Sequence, residues 1–184
     1  IAHFLSLAGK RVGMTATDGV YVQGRRIDTG DCSGPKSARN ILLHPEVDAA
    51  VLETARGGLL REGLAFDRCK VAVVTNIGMG DHLGLNFITT VEDLAVLKQV
   101  VVQNVAPDGV AVLNACDPRT AEMAIHCPGS VTYFASEPHN PIIAAHRAQG
   151  HRVIYLHGDS LVTARGNAEQ RLPLSMGEFA RVLG

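Results

Sequence analysis

The chain has no tryptophan, and aromatic residues make up only 4% of it. Its core must therefore be built from aliphatic side chains rather than large rings. Cysteine is sparse. Cys32, Cys69, Cys116 and Cys127 form no Cys-x-x-Cys pair and no disulfide framework, so reduced thiols in a cytoplasmic protein are the expected state. Neither sign of charge dominates, and the formal net charge of −1 removes the global basic field that nucleic-acid binding draws on. Long apolar runs are missing too: Val71 to Val74 and Val100 to Val102 are far too short to cross a bilayer. There is no Gly-x-x-x-x-Gly-Lys-Thr phosphate loop and no Gly-x-Gly-x-x-Gly. Ser33-Gly34-Pro35 is not a nucleophile elbow. His126-Cys127, and His151 with His157, lack the spacing of zinc ligands.

What is present points to an α/β enzyme domain. The 184 residues are 46% hydrophobic and include 19 glycines, enough for one ordinary domain with a sizeable core. Short Val- and Ala-rich runs (Arg11 to Thr15, Val47 to Thr54, Lys70 to Thr75, Gly109 to Asn114, Ser130 to Ala135) alternate with helix-period segments. That order predicts a mainly parallel sheet with helices on both faces. The run from Lys70 to Thr75 reads as a strand buried on both sides, and Pro107-Asp108-Gly109 as a turn. Residues 1–150 form the expected α/β domain. Residues 151–184, with Gly-Asp and Gly-Asn turns between short strands, form a β-meander appended to it. The first ten residues read as the last turns of an amphipathic helix stopped by Gly9, not as a signal peptide, so the chain is expected to be a fragment.

Chemistry gathers between Asp48 and Lys98. Glu53 follows Val51-Leu52 at a strand's carboxyl end, where open parallel sheets bind ligands and where a carboxylate reaches a hard cation such as Mg²⁺. His82, in Gly80-Asp81-His82-Leu83, follows the next strand, with Asp81 placed to orient its ring. Lys98 falls on the same helical stripe as Val91, Leu94, Ala95, Val101, Val102 and Val105. Two readings stay open for it: a stem that snorkels to water, or a desolvated neutral amine that can take up CO₂ as a carbamate and so become an oxygen ligand. Asn76, Asn114 and Asp117 lie at successive strand ends, near where phosphate or metal-bound water would sit; Asp117 reads equally as a helix N-cap. Ser33 and Lys36 lead into a helix N-terminus, a natural anion site. Lys36, Arg39, Arg56 and Arg61 could hold carboxylates or phosphates, although such cations taken singly are ordinary surface charges.

Thr75-Asn76-Ile77, Asp81-His82-Leu83, the upstream Glu53, the downstream Lys98 and Leu113-Asn114-Ala115-Cys116-Asp117-Pro118 together resemble the central domain of the Mur ligase superfamily, which is related to the P-loop NTPases. Three further segments narrow the resemblance to one branch, the ligases that attach arginine to poly-aspartate: Thr17-Asp-Gly-Val-Tyr-Val-Gln-Gly24, Thr29-Gly-Asp-Cys-Ser-Gly-Pro-Lys-Ser-Ala-Arg39 and Leu52-Glu-Thr-Ala-Arg-Gly-Gly58. The resemblance implies ATP-dependent amide-bond formation through an acyl phosphate. Mg²⁺ would be held by Glu53, His82 and a carbamylated Lys98, and Ser33 would belong to the polar loop near metal and substrate. It implies as partners arginine, the poly-aspartate chain, and an ATP-grasp region and C-terminal Mur domain of the same polypeptide, in an expected homo-oligomer without nucleic acid or membrane. The superfamily's phosphate loop is expected before Ile1 and its adenine-contacting helix after Gly184, so the chain alone is expected neither to bind ATP tightly nor to ligate. Cys116 stands where the superfamily often has an acid. A folylpolyglutamate-type ligase and a non-catalytic Mur-like binding or assembly module are the alternatives; Ala55-Arg56-Gly57-Gly58 argues against the first.

Overall fold

The computed structural model describes residues 1–78, 83, 84 and 87–174. Contacts divide the chain into two compact units, Ile1–Asp67 and Arg68–Gly184.

The first unit opens with α1 (Ala2–Leu7), ended by Gly9 at φ 78°. Strands β1 (Val12–Ala16), β2 (Gly19–Val22), β3 (Arg25–Thr29) and β4 (Ala49–Leu52) form a sheet in the order β3-β2-β1-β4. The first three are antiparallel, and β1 pairs with β4 in parallel, Gly13 opposite Ala50. Gln23 and Gly24 both take positive φ, closing β2 and β3 into a two-residue hairpin. Between β3 and β4, Gly34 caps α2 (Pro35–Leu42), and Pro35 occupies its first turn, where no N–H is needed. Pro35, Ala38 and Ile41 make its buried face. Ile41 joins Val20, Val22 and Cys32 in the core, with Val47 and Leu52 against it. A Cβ on Gly13 would lie 2.6 Å from Ile41 Cγ2, so glycine is what lets α2 approach β1 this closely. The Arg11 guanidinium, 2.6 Å from Asp48, holds that carboxyl down to about 2 and ties the starts of β1 and β4 together. The unit ends with α3 (Arg56–Glu62).

The second unit is a six-stranded sheet in the order β10-β9-β8-β7-β6-β5. Strands β5 (Cys69–Val74), β6 (Val105–Asn114), β7 (Ser130–Ala135) and β8 (Arg152–His157) are parallel. Strands β9 (Ser160–Arg165) and β10 (Ala168–Pro173) return antiparallel. The expected fold class is the one observed: α/β with a parallel-rich sheet. The crossovers are α4 (Val91–Gln103), α5 (Pro118–Glu122) with a 3-10 turn at Met123–His126, and α6 (Pro141–Ala148). Because β5 to β8 step in one direction and crossovers are right-handed, these three helices share one face of this sheet. Ala72, Leu113, Tyr133, Val153 and Val162 are buried beneath that face.

Two expectations change. Strand β5 is buried on one face only: Ala72 and Val74 are covered, whereas Val71 is 55% and Val73 40% exposed. Its unbroken Val and Ala content could not report that the helices here collect on a single side. Pro107-Asp108-Gly109 is not a separate turn but an irregularity inside β6, where pairing with β5 jumps from Cys69↔Val105 to Val71↔Val110. An ion pair between Lys70 and Asp108 anchors it. A Cβ on Gly129 would lie 2.6 Å from the carbonyl oxygens of Ala106 and Gly109, so β7 enters across this irregularity at backbone contact distance. No helix among the described residues is long and apolar enough to cross a membrane.

Candidate functional site

In the first unit, loops converge at the carboxyl ends of β1 and β4. Glu53 is the first residue past β4. Its backbone N–H donates to Thr15 O at 3.1 Å, continuing the β1–β4 ladder by one step. Its carboxylate Oε2 accepts from the Thr17 N–H at 3.1 Å. The side chain is exposed, and its second oxygen has no partner among the described residues. The loop after β3 packs alongside: Ala55 donates its N–H to Ser33 O at 3.2 Å, two residues beyond Glu53. Gly58 on α3 has room for no side chain, since a Cβ there would lie 2.9 Å from Pro35 Cδ and 3.0 Å from Gly34 Cα. The two glycine-bearing segments thus interlock through backbone.

Ser33 is 4% exposed, and its hydroxyl and N–H both donate to Asp31 Oδ1. Those bonds, with a smaller attraction from Arg61, hold the Asp31 carboxyl below its ordinary range against a modest cost of burial. Asp31 did not stand out in the sequence, although an acid two residues before a serine at a helix entrance is a local turn signal. Lys36 is exposed in the first turn of α2; Arg56 and Arg61 lie on α3. The Arg61 guanidinium folds back over its own helix, where a Cβ on Gly57 would meet it at 3.1 Å. Glu53, Ser33, Arg56 and Arg61 therefore come from one cluster of loops and helix starts.

In the second unit, the carboxyl ends of β5 and β6 are bound to each other. Asn114 Nδ2 donates to Thr75 O at 2.8 Å, and its Oδ1 accepts from the Cys116 N–H at 2.8 Å. Asp117 caps α5, Oδ1 accepting from the N–H groups of Arg119 (3.0 Å) and Thr120 (3.3 Å). Its Oδ2 accepts from Ile77 (2.6 Å) and Gly78 (3.5 Å) in the loop after β5. Burial pushes the Asp117 carboxyl up, but the backbone N–H groups of Ile77, Thr120, Gly78 and Arg119 outweigh it and hold the group below its usual range. Asn76 is exposed in the same loop. Cys116 is exposed, 3.5 Å from Ser136 Oγ. Buried Asn140, which did not stand out in the sequence, caps α6 and donates to Ala115 O at 3.0 Å.

Lys98 is half-buried on α4, one turn from Leu94 (3% exposed) and one turn from Val102 (0%). The expected stripe is therefore present, though Val105 belongs to β6 rather than to the helix. The ammonium makes no hydrogen bond or ion pair among the described residues. Asp81 and His82 lie outside the described residues. Glu53 belongs to the first unit and Lys98 to the second. No three His, Cys, Asp or Glu side chains among the described residues form a metal cluster. A Mg²⁺ ion suits the donor available at Glu53, a hard oxygen with an open lone pair.

The chain belongs to the Mur ligase middle domain family, whose model matches residues 1–178. Among curated proteins it is 45% identical to the cyanophycin synthetase of Synechocystis sp. over 98% of its length, and 46% identical to that of Crocosphaera subtropica over 97%. The cyanophycin synthetase of Geminocystis herdmanii is 44% identical over 98%. The chain spans 21% of the length of each of these relatives. Among solved structures, MurF from Acinetobacter baumannii aligns with a TM-score of 0.44 at 20% identity, over 74% of this chain and 29% of that one.

Proposed function

We propose that this chain is the metal-holding part of an ATP-dependent ligase that joins arginine to the side-chain carboxylate of poly-aspartate. The observation that carries the reading is identity of 43–46% to cyanophycin synthetases along 96% or more of the chain, with Glu53 aimed from a strand end in the loop cluster. Glu53, His82 and a carbamate on Lys98 would hold Mg²⁺. The carbamate forms when the neutral amine of Lys98 bonds to CO₂ and loses a proton. Bound Mg²⁺ would supply charge neutralisation at the phosphates of ATP and at the acyl phosphate.

The protein's own groups then position. The Thr17 N–H fixes the Glu53 carboxylate. Ser33, held by Asp31, presents a buried loop to the acidic substrate, with Lys36, Arg56 and Arg61 as cations for its carboxylates. Asn76 and the segment from Asn114 to Asp117 border the nucleotide. The remaining partners would be an ATP-grasp region and a C-terminal Mur domain of the same polypeptide, in a cytoplasmic homo-oligomer. Glu53→Ala in the full-length protein is expected to abolish arginine incorporation while aspartate addition continues. Radiolabelled arginine and aspartate uptake into polymer measures both, and undiminished arginine incorporation sinks the assignment.

A further inference from the structure

We infer that Asp117 is a positioning residue that, together with Asn114, locks the loop after β5 in place, rather than a group that touches the nucleotide. The inference deepens the ligase reading above and rests on it for its activity arm only.

The reasoning starts from valence. A carboxylate offers about four lone-pair directions, and Asp117 has four backbone N–H groups on it: Arg119 and Thr120 on Oδ1, Ile77 and Gly78 on Oδ2. Nothing remains on that side chain for a ribose hydroxyl or a metal-bound water. Asn114 adds a second tie, one amide N–H donating to Thr75 O and its amide oxygen accepting from the Cys116 N–H. Both side chains therefore face the loop formed by Thr75 to Gly78. They reach it from 39 or 40 residues away in sequence, so they are what relates the two strand ends to each other. The bond to Ile77 is the short one at 2.6 Å, and the Ile77 side chain is 4% exposed. The loop is thus pinned from both sides, by a charge-assisted bond at its backbone and by burial at its side chain. Gly78, at φ 67°, then turns the chain away. The exposed residue left between the pinned points is Asn76, which makes it the side chain this arrangement aims outward.

The chemistry of the cap separates the two jobs of Asp117. Asparagine and serine cap helices about as well as aspartate, but each offers one oxygen where aspartate offers two. Asp117→Asn and Asp117→Ser in the full-length protein keep the α5 cap and lose the acceptor for Ile77. Hydrogen exchange with mass or NMR detection is expected to show Ile77 exchanging at least about tenfold faster in both variants, as loss of a charge-assisted bond implies, with Arg119 and Thr120 unchanged. Arginine incorporation is expected to fall at unchanged aspartate addition and unchanged melting temperature. A purely structural role would lower the melting temperature and slow both additions together, and that result overturns the inference. So does a loss of ATP affinity with Ile77 still protected, which would place Asp117 on the nucleotide. Were the full-length protein to lack arginine incorporation altogether, the ligase reading would fall while the exchange result still decided the role of Asp117.

Discussion

His146 shows how one side chain ties stability to pH. Its ring stacks on His151 with centroids 4.6 Å apart and meets Tyr133 edge-on at 4.8 Å. Its Nε2 lies 3.0 Å from Val131 O. Burial lowers its proton affinity, the Val131 carbonyl pulls against that less strongly, and the neighbouring His151 adds the smallest contribution, again downward. A group whose folded pKa is depressed is neutral in the native state and binds a proton more readily once unfolded. Its contribution is therefore complete above the ordinary histidine value of about 6.5 and is lost as pH falls through the folded value. Urea midpoints measured from pH 7.5 down to 5 are expected to decline across that window. In His146→Gln the decline should be shallower; an unchanged slope would assign the effect elsewhere.

At the scale of elements, α4 owes its start to a reciprocal cap. Thr90 accepts from the Asp93 N–H at 3.0 Å, and Asp93 accepts from the N–H groups of Thr90 and Thr89 at 3.0 and 3.2 Å. Thr90→Ala is expected to cost about 1 kcal/mol, read as a lower urea midpoint, and in doing so to loosen the helix that carries Lys98. Elements were legible where their signals are local: a cap at Asp117 before Pro118, a helix entrance between Ser33 and Lys36, Gly9 past a helix end. The strand-end position of Glu53 was legible for the same reason. Non-local facts were not. Nothing in Val71 to Val74 encodes that helices cover one side only, and nothing around Pro107 encodes that Gly129 crosses it. Likewise the spacing of Asn114 and Asp117 marks a strand end and a cap, but not that both reach back to Thr75 and Ile77. Such facts depend on which segments fold beside which.

At the scale of the whole molecule, each unit carries its own core. Ile41 is fully buried beneath β1 and β2, and Leu113 is fully buried in β6. Ile41→Ala and Leu113→Ala should each cost roughly 2–5 kcal/mol. Amide exchange should report the first as faster opening of β1 and β2 and the second as faster opening of β6 and β7; stability unchanged in either variant would contradict the cores described. The chain is also unevenly open to thiol chemistry. Cys32 is buried, and Cys69 and Cys127 are half-buried with their thiols directed at backbone carbonyls. Burial also pushes the Cys69 thiol up, away from its reactive form. Cys116 is exposed, one residue before Asp117. A maleimide dye added in limiting amount will therefore settle there without engineering. Its emission becomes a native optical gauge of order at the β5–β6 strand ends, readable in real time as denaturant is titrated in.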